Sequence, residues 1–257
     1  MDAIGATLDA VCLASQMILE SGGETYRAEE TVERMCAGLG MRHVEVLALP
    51  TGLMLTLTTE EQQTVTRLVR VRNRSIDLGR IDACNAISRQ VAAGKLTAWE
   101  ALDRLKQLHS AQKDRWWKKW LLILASALSA ASFTVMLGGE WMDFFVSFFC
   151  GALVQMVLPP LAKMRVPTLI SSMIAGALTT LLALMGTLLW AQVRVEPVIS
   201  GAIMPLLPGL ATTNAFRDTI KGDLVSGGAR VIEAMLSCVM LSAGIGLMLS
   251  MWGGIGL

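Results

Sequence analysis

From Trp120 to the C-terminus charge is so sparse that the sequence falls into five long apolar runs, and this limits the fold more than any other feature. Trp120–Leu137 passes 18 residues without a charge and stops at Gly138–Gly139. Trp141–Leu158 carries only Asp143, near its start, and closes on Pro159–Pro160. Val166–Val193 is 28 uncharged residues. Pro197–Phe216 is uncharged but interrupted by Pro205 and Pro208, and the last run, from about Val231, holds one acid, Glu233. A bilayer core about 30 Å thick needs roughly 20 mainly apolar residues per helix. The runs therefore predict five transmembrane helices, at about 118–137, 141–159, 167–191, 197–216 and 229–252.

The first 120 residues are different in kind, holding 31 charged positions against 12 in the last 137. Periodicity predicts an amphipathic helix over about 2–20, carrying Asp2, Asp9 and Glu20, and another over 25–38, split by Ser21–Gly22–Gly23. Short β-type stretches follow at His43–Leu49, Leu53–Thr58 and Gln63–Val71, with turns at Pro50–Thr51–Gly52 and Thr59–Glu60–Glu61. Helices at 76–92 and 97–108 complete the domain, the latter opened by a Thr97…Glu100 capping box. The expectation is an α-helical integral membrane protein: a cytoplasmic α+β domain over 1–115, then a membrane domain over 116–257. No basic n-region opens the chain, so the first apolar run reads as an internal start-transfer helix.

Short loops set the orientation. Arg115, Lys118, Lys119, Lys163, Arg165, Arg217, Lys221 and Arg230 fall on one side and only Arg194 on the other, which predicts a cytoplasmic N-terminus and an outer C-terminus. Trp116, Trp117, Trp120, Trp141, Trp190 and Trp252 mark both interfaces, as lipid contact requires.

A single soluble globule, a disordered chain and a disulfide-stapled module are excluded by this distribution. Five scattered cysteines show no CxxC pair, and two histidines without ligand spacing predict no metal. A net charge of +1 gives no case for nucleic acid.

Several segments bear chemistry. Gly22–Gly23–Glu24–Thr25–Tyr26–Arg27 precedes a helix and suits either an anion at its N-terminus or a plain helix–helix turn; it is neither GxGxxG nor a P-loop. Arg67, Arg70, Arg72 and Arg74 form a basic run; on a strand, 70, 72 and 74 share one face, which is solvated or meets phosphate, lipid or a partner's acids. Cys36 and His43 lack a third orienting group, and His109 reads as a surface or packing residue. No catalytic residue is therefore assigned and the expectation is a non-enzyme. The most informative stretch is Met204–Leu210. Pro205 and Pro208 delete two backbone donors and Gly209 adds freedom, so the helix is either kinked or broken around a polar cavity of the kind transporters use. Thr212, Thr213 and Asn214 follow with hydroxyl and amide groups, then Arg217, Asp218, Lys221, Asp223, Arg230 and Glu233 alternate in sign. Glu233 and Asp143, just inside spans, suit proton coupling or interfacial snorkelling.

Taken together, Pro205 through Asp218, Lys221 through Arg230, Gly22–Gly23–Glu24–Thr25, Pro50–Thr51–Gly52, Arg72 through Arg80 and Gly138–Gly139 with Trp141 and Asp143 resemble the bacterial threonine/serine exporter family. Five spans rather than about ten are similar to the larger, YjjP-type subunit of its split form. That resemblance implies a hetero-oligomer with a small all-membrane YjjB-type partner, exporting a threonine/serine-type amino acid or a dicarboxylate such as succinate. It implies no cofactor. On this reading Pro205, Pro208, Gly209, Thr212, Thr213 and Asn214 line the substrate path, and Arg217, Asp218, Asp223, Arg230, Glu233 and Asp143 gate it or couple protons. A membrane-anchored hydrolase and a non-transporting scaffold subunit are the alternatives.

Overall fold

The computed structural model describes residues 3–41, 43–58, 64–72, 74–110 and 116–254. Asp2, the Thr59–Glu61 turn and the linker from Lys113 to Arg115 lie outside the described residues. The chain forms two compact units, Met1–Lys113 with Leu210–Val231, and Asp114–Gly209 with Ile232–Leu257. Compactness thus does not follow the expected boundary at 115/116, because Leu210–Val231 packs with the N-terminal residues.

In the first unit, α1 (Ala3–Glu20) and α2 (Thr25–Gly38) lead into an antiparallel sheet of β1 (His43–Leu49), β2 (Gly52–Thr58) and β3 (Thr64–Arg70), ordered β1-β2-β3. Helices α3 (Leu78–Ala92) and α4 (Ala98–Ser110) follow. Leu49 pairs with Gly52 across the Pro50–Thr51 turn, so β2 starts one residue earlier than expected. A Cβ at Gly52 would lie 2.7 Å from the Val69 carbonyl oxygen, and only glycine lets β3 approach there. Leu53, Leu55 and Leu57 are buried on one face of β2 while Met54 is exposed on the other, the period-2 pattern of a one-sided sheet. The Thr97–Glu100 capping box forms, with Thr97 N–H and hydroxyl both donating to Glu100 at 2.8 Å.

Helix α1 buries most of its surface: Ala6, Thr7, Leu8, Ala10, Val11, Ala14, Ser15, Met17, Ile18 and Leu19 are all buried, and Asp9, Leu13, Gln16 and Glu20 keep a narrow half-buried stripe. Helices α2, α3 and α4 and strand β2 pack around it, which places it at the centre of its domain. Asp9 pairs with Arg67, and Glu20 accepts from Gln16. One expectation needs correction: the basic run does not form one strand face. β3 ends at Arg70, Val71 N–H closes onto the Thr51 carbonyl, and Ser75 and Asp77 N–H bond the carbonyls of Glu20 and Ser21. Arg72 and Arg74 therefore lie beyond the strand.

In the second unit, α5 (Trp116–Met136), α6 (Trp141–Lys163) and α7 (Thr168–Leu189) are followed by α8 (Val195–Ile203) and a 3₁₀ turn at Met204–Leu206. Helix α9 (Gly209–Ile220) belongs almost wholly to the first unit, and α10 (Leu224–Gly254) runs through both. Among the described residues, four helices are long and apolar enough to cross a membrane, or five if the bent pair Val195–Leu206 and Gly209–Ile220 is one span. Helix α6 does not stop at Pro159–Pro160 but reaches Lys163. Proline's fixed φ is helical, and the end is closed instead by Arg165 at φ 58 with Val166 N–H bonding the Leu161 carbonyl, a Schellman cap. Of the two readings of the fourth apolar segment, kinked or broken, the helix is interrupted: α8 ends at Ile203, the 3₁₀ turn follows, and Leu207–Pro208 separates it from α9.

Small residues set the packing of this unit. A Cβ on Gly201 would lie 2.0 Å from Thr134 Oγ1, so α8 crosses α5 at backbone distance. Gly244 on α10 comes equally close to the Met173 carbonyl of α7. Where helices have no hydrophobic drive to associate, this close backbone approach supplies the contact energy. Hydroxyls inside are satisfied: Thr134 donates to the Ala130 carbonyl at 3.0 Å and lies 2.7 Å from Ser147 Oγ.

Candidate functional site

The polar residues after the break do not stand alone; five of them converge on the α1–α2 turn inside the first unit. Helix α1 ends where Gly22 takes φ +80, and a Cβ on Gly23 would meet Ile18 Cγ2 at 2.6 Å. This tight reversal turns the carbonyls of Gly22 and Gly23 outward from their own helix. Asn214 Nδ2 donates to Gly22 O at 2.8 Å, and Arg230 Nη2 donates to Gly23 O at 2.8 Å. The next two residues answer with side chains. Arg217 donates to Glu24 Oε1 at 2.6 Å, while Thr25 gives its N–H to Asp218 Oδ1 at 3.2 Å and its hydroxyl to Asp223 Oδ2 at 3.1 Å.

Helical spacing explains the other half. Asn214, Ala215 and Asp218 are buried on one stripe of α9, one turn apart, with Arg217 at its rim. Asp223 precedes α10 and accepts Ser226 N–H at 3.0 Å, holding the helix start as a cap does. Gly227 permits the corner, since a Cβ there would meet Thr219 Oγ1 at 2.1 Å and the Ala215 carbonyl at 2.9 Å. Nearly two turns into α10, Arg230 Nε faces Asp218 Oδ2 at 3.0 Å, with side-chain exposures of 7% and 0%.

The charges are graded from inside to rim. The Asp218–Arg230 pair is buried, whereas Arg217 is 55% exposed. Burial would raise the Glu24 carboxyl, but its own backbone N–H, Arg217 and Arg27 outweigh that and hold it below its ordinary value. Asp223 is likewise lowered: burial opposes ionisation, and hydrogen bonds from Ser226 and Thr25 with the nearby Arg230 overcome it. Glu29 goes the other way. Burial raises it, and Asp223, Glu33 and Asp218 add to the rise, against one hydrogen bond from Ala48 N–H at 2.8 Å. At the edge, Lys221 Nζ lies 5.6 Å from the Tyr26 ring centroid.

Of the expected path residues, Asn214 is in the cluster. Pro205 lies in the 3₁₀ turn, Pro208 in the break, and Gly209, Thr212 and Thr213 in the first turns of α9. Of the expected gating residues, Arg217, Asp218, Asp223 and Arg230 are brought together. Glu233 is half-buried further along α10, where its carbonyl accepts from Ser237. Asp143 is fully buried in the second unit, accepting N–H bonds from Glu140 at 2.9 Å and Arg194 at 2.8 Å, with Arg194 Nε at 3.5 Å. Its geometry is that of a capping box that also fastens the α7–α8 loop. By sequence alone Gly22–Thr25 suits an anion site or a turn and has no visible link to α9, and Glu29 carries no signal that sets it apart from the other acids of α2. The thiols of Cys12, Cys36 and Cys84 are buried and pushed up to about 11, 12 and 12, far from a thiolate nucleophile. Among the described residues no group of three His, Cys, Asp or Glu could hold a metal ion.

The family model described as "Putative threonine/serine exporter" matches residues 9–252, which takes in both halves of this cluster. The chain belongs to the threonine/serine exporter family. It is similar to the "Probable succinate transporter subunit YjjP" of Klebsiella aerogenes, 26% identical over 92% of this chain and 90% of that one. It is also 22% identical to the "Probable threonine/serine exporter" of Mycobacterium tuberculosis, over 96% of this chain but 46% of that protein. The "Threonine/serine exporter" of Corynebacterium glutamicum is 22% identical over 95% of this chain and 51% of its own length. The chain thus spans about half of the exporter-named relatives and nearly all of the relative named a subunit. No solved structure matches it.

Proposed function

We propose that this chain is the larger subunit of a two-component secondary exporter, carrying a small hydrophilic metabolite out of the cytoplasm on the proton-motive force. The observation that carries this reading is the buried Asp218–Arg230 pair, with Asn214 and Asp223, set immediately after a proline-broken apolar segment. Ionisable groups at the end of a discontinuous span are costly and are kept where a polar solute or a proton passes. The path then comprises Pro205, Pro208, Gly209, Thr212, Thr213 and Asn214. Arg217, Asp218, Asp223, Arg230 and Glu233 gate it or couple protons, with Asp143 a further candidate.

The partner is a small all-membrane chain of the YjjB type, in keeping with the word "subunit" in the name of the Klebsiella relative. The solute is a threonine/serine-type amino acid or a dicarboxylate such as succinate. The N-terminus is cytoplasmic and the C-terminus outside the inner membrane, with exposed apolar residues such as Phe149, Leu153, Met235 and Val239 against lipid or the partner.

The test is reconstitution with and without the partner, following labelled threonine, serine and succinate under an imposed pH gradient. Saturable, partner-dependent flux of one solute is expected; no flux from correctly inserted protein refutes the reading. Pro208→Ala and Asn214→Ala each reduce flux at normal membrane levels, and unchanged flux in both removes the path assignment.

A further inference from the structure

We infer that the Gly22–Thr25 turn is a releasable latch on the α9–α10 corner, and that the N-terminal domain opens and closes the gating residues through it. This rests on the exporter reading for what the latch controls, but the latch itself is a matter of contacts within one compact unit.

Three features distinguish a latch from a permanent strut. First, five polar contacts join turn and corner: two glycine carbonyls, one carboxylate, one N–H and one hydroxyl against Asn214, Arg230, Arg217, Asp218 and Asp223. Water takes the place of such partners when the turn opens. The apolar contacts of α1 with the rest of the domain have no such substitute. Second, charge compensation is divided so that release strands no buried ion. Asp218 and Arg230 both belong to the corner and keep each other when the turn leaves. Glu24, whose side chain is buried, parts from the 55% exposed Arg217 but keeps Arg27 of its own helix at 3.6 Å. Third, the turn joins two helices through a glycine pair with Gly22 at φ +80, a point where the backbone rearranges without breaking either helix.

Closed, the latch occupies hydrogen-bonding positions on Asn214, Asp218, Asp223 and Arg230, all of them residues of the proposed path or gate. Open, it gives those positions up. A soluble domain attached in this way is a working part of the transport cycle.

The experiment ties the latch shut without touching a gating residue. Tyr26 and Lys221 face each other at the edge of the contact. In a Cys238→Ala background, leaving only the buried native thiols, Tyr26→Cys and Lys221→Cys are bridged by a short reducible bifunctional thiol reagent. The reconstituted chain, with its partner, is then compared with itself before bridging and after reduction. At least a tenfold fall in flux on bridging, restored by reductant, is the expected result. Undiminished flux through fully bridged protein overturns the proposal.

Hydrogen exchange on the full chain in nanodiscs provides a readout independent of transport. The amides of residues 22–27 exchange through local opening while the buried stretch of α1 from Ala6 to Leu19 stays protected. Exchange of both only together, through global unfolding, overturns the latch. If the unbridged chain carries no solute, the exporter reading fails by itself and exchange alone decides the latch.

Discussion

Replacing Arg230 with Ala puts the heaviest load on the proposed cluster. Its Nε lies 3.0 Å from Asp218 Oδ2 and its Nη2 lies 2.8 Å from the Gly23 carbonyl, with side-chain exposures of 7% for Arg230 and 0% for Asp218. At that separation and an effective dielectric of about 20, the Coulomb attraction is roughly 5 kcal/mol. Most of it offsets the desolvation of two charges, so the pair as a whole is worth little net. The substitution removes only one partner and leaves a buried carboxylate whose remaining described partner is the Thr25 N–H. Breaking a buried pair from one side costs about 3–5 kcal/mol. Asp218→Asn keeps the oxygen that accepts from Thr25 but leaves the buried Arg230 guanidinium without its counter-charge, so its cost falls in the same range, about 3–5 kcal/mol. The double variant Asp218→Asn/Arg230→Ala no longer buries an unpaired carboxylate, so its cost falls at least about 1 kcal/mol short of the two single costs combined. Denaturant unfolding of the nanodisc-embedded chain, read by pulse proteolysis of the N-terminal unit, measures all four corners of the cycle. Additivity within about 0.5 kcal/mol would refute the claim that these residues compensate each other in a dry site.

Gly201→Leu drives a side chain into Thr134 where even a Cβ has 2.0 Å, so the α5–α8 crossing is lost and little monodisperse protein survives detergent extraction. Gly246→Ala, with nothing within 4 Å of its Cβ, is the tolerated control. Glu29→Gln raises the unfolding midpoint at pH 7–8, because the folded state holds this carboxyl above its ordinary 4.5 and so loses stability as pH rises past that value. The gain vanishes under the ordinary carboxylate pKa, so a thermal-shift series from pH 4 to 8 gives its sign. Asp143→Asn cannot accept from both Glu140 and Arg194 N–H as the carboxylate does. Stability falls by about 1–3 kcal/mol, and an altered pH profile of flux supports the proposed part of Asp143 in proton coupling, whereas an unchanged profile leaves it a fastening residue alone.

Much of the chain follows from local pattern alone. Runs of about 20 apolar residues, glycine and proline punctuation and the Thr97–Glu100 box fix where helices begin and end, because these are effects of neighbours in sequence. The break at Leu207–Pro208 is of this kind: a missing N–H is a property of the residue itself. Two misread helix limits differ in origin. Pro159–Pro160 reads as a stop but lies within the last turns of α6, a local matter, whereas α10 begins at Leu224 because Asp223 caps it with help from Thr25, which is 198 residues away.

What sequence could not supply was the joining of residues far apart in the chain. Gly22–Gly23–Glu24–Thr25 is ambiguous by itself, since two carbonyls, a carboxylate and a hydroxyl suit a turn as well as an anion site. Its meaning depends on Asn214, Asp218, Asp223 and Arg230, about 190 to 207 residues later, each taking one of those groups as partner. The solitary-looking burial of α1 has the same origin, because three helices and a strand from later in the chain close around it. Hydropathy and capping act over a few residues and can be read in order along the chain. Which polar groups satisfy one another is decided only when tertiary packing excludes water and leaves each buried donor one acceptor within reach.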